Sequence, residues 1–293
     1  MAWRWPSPRS PRLRSWWRAC RGPSPRASSL APWLDVGGLA VVGLLALASY
    51  ALRALTPGGA LLGFLLGYTT WLAGGLRWFL LLLVTFAATV QATRAGYRLK
   101  SLKGMAEKRR GARGWLNVLA NVGPSSLMAL LFVLAPFPAT PLLFTSFLCV
   151  ALADTVATEL GGLSRGPPRL ITRPWVRVPP GTSGGVSGLG LGASLLAAAL
   201  FSLMAWLLGV VEPTPLAWFA VCLGGFLGAL LDSLLGATLQ ERFLCPNCGR
   251  VVEERVHCLR LCERRSGIPG LDNNVVNILA IALGGLLSLL LFS

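Results

Sequence analysis

The sequence predicts an all-α, polytopic transmembrane helix bundle of about seven spans, within a range of six to eight, carrying a Cys-rich loop on its cytoplasmic face. Three observations predict it. Of 293 residues, 54% are hydrophobic and only 13% charged, with a mean hydropathy of +0.63, whereas a soluble domain carries about a quarter charged residues. Apolar runs recur at 36–55, 58–75, 77–93, 115–136, 139–160, 188–211, 214–238 and 273–292, most of them near the ~20 residues that cross ~30 Å of hydrocarbon as a helix. Basic residues collect in alternate connections only, as the positive-inside bias requires.

Residues 1–35 hold Arg4, Arg9, Arg12, Arg14, Arg18, Arg21 and Arg26 among Ser, Pro and Trp. This composition reads as a basic tail, disordered or lying at the membrane interface, without the apolar stretch and cleavage site of a signal peptide. Residues 36–293 form the membrane-embedded domain. The run at 58–75 is short and Gly-rich and is expected to be re-entrant, which leaves seven spans and places the tail inside. The loops at 94–114, 161–187 and 239–270 carry the bases, and the turns near 137 and 212 carry none, so the basic side is expected in the cytoplasm of a prokaryotic inner membrane. The net charge of +16, from 27 bases against 11 acids, therefore fits lipid headgroups and phosphate ligands, and no nucleic-acid partner is expected.

Few carboxylates touch the apolar segments, and such acids usually face a cavity, a metal or a partner. Asp154 and Glu159 lie in DTVATELGGLS. Five residues turn a helix through about 140°, so the two reach one ligand only if the helix frays at Gly161–Gly162. Asp232 follows Gly224 and Gly228 and precedes Gly236 at four-residue spacing, a stripe that lets helices pack closely and that an acid interrupts. Asn117 and Asn121 share one helix face, and so do Asn273 and Asn277 behind an Asp272 N-cap, with Asn274 beside them; such amides either line a polar site or join helices. The loop VPPGTSGGVSGLG offers Thr182, Gly184, Gly185 and Ser187 ahead of a helix N-terminus, where backbone N–H groups can meet phosphate oxygens, and Lys100, Arg113 and Arg173 add positive charge. No Gly-Lys-Ser/Thr follows, so this is not a Walker A loop. A second loop, numbered 243–265, holds Cys245, Cys248, His257, Cys258 and Cys262; four of these five suit a closed structural zinc site, and reduced thiols without metal are the alternative.

The stretches YRLKSLKGMAEKRRGARGWLNVLANVG, ADTVATELGGLS, PRLITRPWVRVPPGTSGGVSGLG, LLDSLLGATLQ and GIPGLDNNVVN resemble, in order and spacing, an integral membrane family once named only as a domain of unknown function. Its members include the plant phytyl-phosphate kinase. Val156 and Thr158 depart from the family pattern, and the Cys-rich insert occurs in some members only. The resemblance implies a prenyl phosphate kinase that uses a nucleoside triphosphate, with CTP the suggested donor. On that reading Asp154, Glu159 and Asp232 hold Mg²⁺, the Gly-rich loop cradles nucleotide phosphates, the cations neutralise charge and the asparagines orient ligand oxygens. The expected partners are the bilayer, a prenyl phosphate and a nucleoside triphosphate. A CTP-dependent cytidylyltransferase acting on a lipid phosphate, and a lipid or isoprenoid transporter, are the alternatives.

Overall fold

The computed structural model describes residues 35–105 and 111–293; the basic tail up to residue 34, with Cys20, lies outside the described residues. The helices are α1 (Val36–Ala51), α2 (Pro57–Arg94), α3 (Tyr97–Leu102), α4 (Trp115–Leu134), α5 (Thr140–Gly161), α6 (Gly188–Leu207), α7 (Pro215–Thr238) and α8 (Asn273–Phe292). Six of them, all but α1 and α3, are long and apolar enough to cross a membrane. Caps set several starts: the side chains of Asp35, Thr56, Ser187, Thr214 and Asp272 each accept a backbone N–H in the first turn of the helix that follows, satisfying donors that a helix start leaves orphaned.

Helix α2 folds back on itself. A straight 38-residue helix would be about 57 Å long, yet both of its ends meet Arg113. Thr56 N donates to Arg113 O at 3.0 Å, while Arg113 Nη2 donates to Thr89 O at 3.4 Å and Thr93 Oγ1 at 3.3 Å. The reversal is at Gly75, with φ 62° and ψ −154°, backbone that glycine adopts at little cost. The two halves then run antiparallel, with the Trp71 and Phe79 rings 5.5 Å apart and Gly67 lying against Phe79 and Leu82. Helix α1 runs beside this hairpin: Arg94 donates to Leu52 O at one end, and Trp71 Nε1 donates to Asp35 Oδ2 at 2.7 Å at the other. The 58–75 run therefore spans the same depth as the 77–93 run, and the bundle has eight alternating apolar segments, at the upper limit of the sequence expectation. Asp35 consequently lies at the end remote from Arg113, opposite to the expected placement of the N-terminal side.

Helix α5 is the axle of the bundle. Its apolar window is 83% buried, against 33–44% for the other five candidate spans, which accounts for its lack of a polar face. Trp78 packs between Phe132 and Phe144 at 5.0 and 4.3 Å and pins the second half of α2 to α4 and α5. Helices α7 and α8 approach through glycine: a Cβ on Gly228 would lie 2.6 Å from Val150 Cγ2 and 3.2 Å from Gly284 Cα. Lipid offers no hydrophobic drive between helices, so such close small-residue contact supplies the packing.

The two long loops are not irregular. The first forms a three-stranded sheet, β2 (Arg173–Arg177), β1 (Arg169–Leu170), β3 (Gly185–Val186). The Cys-rich loop forms a second, β5 (Val251–Val252), β4 (Arg242–Leu244), β8 (Glu263–Ser266), and a ribbon of β6 (Val256–His257) with β7 (Arg260–Leu261). Short antiparallel pairing satisfies backbone groups that the helical pattern in the sequence did not account for.

Candidate active site

Three cavities adjoin one another: two sit where the polar ends of the helices meet, and the third runs from them into the apolar bundle. The central one, of about 130 Å³, is lined by Thr93, Arg113, Asn117 and Asn121, by Asp154, Thr155, Thr158 and Glu159 of α5, by Asp232 of α7 and by Asn273 and Asn277 of α8. Helix α5 stays intact through Gly161, so no fraying is needed to bring Asp154 and Glu159 to one cavity. They stand on adjacent rows of the helix, 154/158 and 155/159, and both rows face it.

The two aspartates face each other. Asp154 and Asp232, from different helices, are within side-chain hydrogen-bonding reach, and Arg113 is close enough to Asp154 to act on it electrostatically. With its amide oriented so that nitrogen faces the acceptors, Asn277 donates to Asp232 Oδ1 and Asn273 O, each at 3.0 Å. Asn121 Nδ2 donates to Asn117 O at 2.9 Å, and the buried Asn117 Oδ1 has no hydrogen-bond partner.

Lys100 is elsewhere. It is 1% exposed and donates to Ala92 O at 2.9 Å, Thr93 O at 2.7 Å and Glu159 Oε2 at 2.6 Å. Three contacts use all three ammonium protons. Lys100 thus caps the C-terminal carbonyls of α2 and holds Glu159, leaving no donor for the phosphate expected from sequence. Arg173 is exposed on β2 and lines none of the three cavities, so it is not placed to neutralise a ligand there. Asp272 is the exposed cap of α8, its Oδ1 accepting from Val275 N at 3.0 Å, and the half-buried Asn274 lines no cavity either.

The second cavity, of about 160 Å³, lies under the Gly-rich loop and shares Thr158, Asp232 and Asn273 with the first. Thr182, Gly184, Gly185 and Ser187 all line it. Two of the hydroxyls already have partners: Thr182 Oγ1 donates to Pro179 O at 2.7 Å, and Ser187 Oγ accepts from Gly190 N at 3.1 Å and donates to Gly161 O at 3.3 Å. Gly184 is pressed onto α7 with φ 76°, where a Cβ would come 2.7 Å from Ser233 O. The third cavity, of about 80 Å³ and mostly apolar, lies between α1, the hairpin and α4; it shares Arg113, Asn117, Asn121 and Thr155 with the first.

Sequence reasoning missed Thr93, Thr155 and Thr158, which carry no motif signal beyond their neighbours. It also missed Glu253. The Cys-rich loop folds back so that Glu253 lines the Gly-rich cavity and accepts from Ser183 Oγ at 2.6 Å, a pairing across 70 positions that no local pattern announces. In that loop Cys245, Cys248, His257 and Cys258 place their ligand atoms within 4.8 Å of one another and can hold a metal ion. Cys262 packs under them with Phe243 and donates to Arg260 O at 3.8 Å. Hydrogen bonding to the His257 side chain holds the Cys245 thiol down at about 6, toward the thiolate that binds metals, while desolvation raises Cys258 to about 11.

The model of the integral membrane protein DUF92 family matches residues 40–285. The chain belongs to this family. It is 31% identical over 268 residues to Protein PGR of Arabidopsis thaliana, covering 84% of this chain and 91% of that protein. It is 30% identical over 243 residues to Protein VTE6, chloroplastic, of the same plant, covering 81% of this chain and 65% of that one. An uncharacterized membrane protein of Synechocystis is 33% identical over 222 residues, 74% of this chain and 84% of the other. No solved structure matches. The matched span of this DUF92 chain takes in all three cavities.

Proposed function

We propose that the chain transfers a phosphoryl group from a nucleoside triphosphate, CTP foremost, to a prenyl monophosphate, giving a prenyl diphosphate. One observation carries this reading. Asp154 and Asp232 meet inside a polar cavity at the end of a membrane bundle, and two carboxylates in contact there cannot both stay charged without a cation. Their hard oxygens fit Mg²⁺, which when bound would supply charge neutralisation for phosphate groups. Glu159 lines the same cavity, but one of its oxygens belongs to Lys100, so the aspartates are the principal pair.

The remaining chemistry falls to side chains and backbone. The acceptor oxygen of a phosphate monoester is already anionic, so no strong base is needed, in keeping with a chain whose single histidine, His257, sits in the Cys cluster. Phosphoryl transfer then depends on placement and charge. Arg113 neutralises the acceptor phosphate, Asn117 and Asn277 orient oxygens, and the Gly-rich loop with the N-terminal turn of α6 holds the nucleotide phosphates. The similarity to VTE6 supports this direction. We further assign zinc to Cys245, Cys248, His257 and Cys258. The separations of His257 Nδ1 from Cys248 Sγ and Cys258 Sγ, 3.5 and 3.2 Å, are close to the edges, roughly 3.5–3.8 Å, of a tetrahedral zinc site. The site end of the bundle carries the basic loops, and we place it in the cytoplasm.

The test is incubation of purified protein in detergent with Mg²⁺, each nucleoside triphosphate and a panel of prenyl monophosphates, with the lipid product identified by mass. A prenyl diphosphate with nucleoside diphosphate is expected. A CMP-linked lipid with pyrophosphate would instead identify a cytidylyltransferase, and no product in detergent, with transfer of unaltered lipid across vesicles reconstituted with the protein, would identify a transporter.

A further inference from the structure

The apolar third cavity plays no part in the chemistry above. Its walls are Val42 on α1, Phe79, Leu82 and Phe86 on the second half of α2, and Val118 on α4. Four hydroxyls also line it, but each is turned back on its own helix: Ser49 Oγ donates to Leu45 O at 2.7 Å, Thr85 Oγ1 to Leu81 O at 2.9 Å, Thr89 Oγ1 to Phe86 O at 2.9 Å and Thr155 Oγ1 to Ala151 O at 2.9 Å. The surface they leave is carbon. From Thr89 to Phe79 the slot follows ten residues of helix, about 15 Å along the bundle axis. Its polarity is confined to one end, where Arg113, Asn117, Asn121 and Thr155 are also walls of the aspartate cavity. A long apolar slot that ends at a guanidinium and two amides matches an amphiphile with a hydrocarbon tail and an anionic head.

We propose that this slot holds the head-proximal part of the acceptor's tail, with its phosphate at Arg113 and Asn117, so that the acceptor approaches from the α1 side and the nucleotide from the opposite, Gly-rich side. This rests on the reading of the aspartate cavity as the transfer site. At about 80 Å³ the slot is narrow, about half the roughly 150 Å³ of an apolar cavity that takes one benzene ring; a tail enters as a wall gives way. That wall is α1. It is the shortest of the eight apolar segments, packs chiefly on α2 and turns Leu44 and Leu47, 67% and 65% exposed, outward. Its displacement opens the slot sideways to the bilayer, where the rest of the tail stays.

The experiment uses the full chain in detergent with Mg²⁺, no nucleotide, and a prenyl monophosphate bearing a diazirine on its head-proximal isoprene unit. Adducts mapped by peptide mass are expected within 42–49, 79–89 and 118–122. Adducts concentrated on outward residues such as Leu196 and Leu200 of α6, or spread evenly over the bundle, overturn the proposal. A second readout is Gly63→Leu. A Cβ there meets only Leu55 Cδ1 at 3.5 Å, ordinary contact, and the rest of the side chain fills the slot. It should raise the KM for a long-tailed acceptor about tenfold or more, with the KM for nucleotide and turnover of a five-carbon acceptor changed less than about twofold. An unchanged long-acceptor KM in a folded Gly63→Leu protein overturns it. Slot adducts in a protein that turns over no acceptor support the slot while removing the kinase reading; turnover with adducts elsewhere does the reverse.

Discussion

Replacing Lys100 by Met separates a structural cation from a ligand-binding one. Lys100 is 1% exposed, and its ammonium holds Glu159 Oε2 at 2.6 Å and the carbonyls of Ala92 and Thr93 at 2.9 and 2.7 Å. Methionine keeps the volume of the stem and removes all three donors. Breaking one side of a buried ion pair costs about 3–5 kcal/mol. The two orphaned carbonyls, at about 1–3 kcal/mol each when counted alone, overlap with that figure, because they solvate the same ammonium. On the scale of about 2–4 °C per kcal/mol that holds for domains of roughly 150–250 residues, Lys100→Met should melt about 6–20 °C below the parent in the same detergent. Glu159→Gln should cost less, since an amide oxygen still accepts from Lys100. The double variant Lys100→Met with Glu159→Gln should recover about 1–3 kcal/mol relative to the sum of the single changes. Melting of the Lys100→Met protein within a degree or so of the parent, together with abolished turnover, would refute this account and return Lys100 to the phosphate.

Three further outcomes are expected. Asp154→Asn and Asp232→Asn should each lower turnover by about a thousandfold or more, with unchanged detergent-solubilised yield and melting; appreciable turnover in either removes that aspartate from the metal pair. Cys245→Ser with Cys248→Ser should release bound zinc, measured by elemental analysis, and lower the melting temperature more than kcat; a protein without zinc either before or after the change would dismiss the assignment. Gly184→Ala puts a Cβ against Ser233 O at a backbone angle of +76° and should lift the Gly-rich loop from α7. The nucleotide KM then rises about tenfold while the acceptor KM holds, and equal changes in both would count against a nucleotide role for that loop.

The helices were legible because apolarity in lipid-facing segments is nearly unbroken. The runs at 115–136 and 273–292 correspond to Trp115–Leu134 and Asn273–Phe292. The glycine stripe on α7 was legible as close packing, and Asp272 as a cap, since both depend on neighbours along one helix. The hairpin at Gly75 was not, because a glycine permits a positive φ without demanding it, and a short Gly-rich run reads equally as re-entrant. Lys100 and Arg173 were indistinguishable as loop cations. One is folded beneath the end of α5 and the other left on an exposed strand edge, and that difference lies in tertiary packing. Glu253 was missed for the same reason: its position depends on how the Cys-rich loop closes back over Ser183.

The reversal at Gly75 makes the number of apolar segments even. Asp35, ahead of α1, and Phe292, at the close of α8, therefore lie at the same end of the bundle, away from the aspartates. A fluorescent label attached at Ser293 would leave the mouth of the aspartate cavity unobstructed.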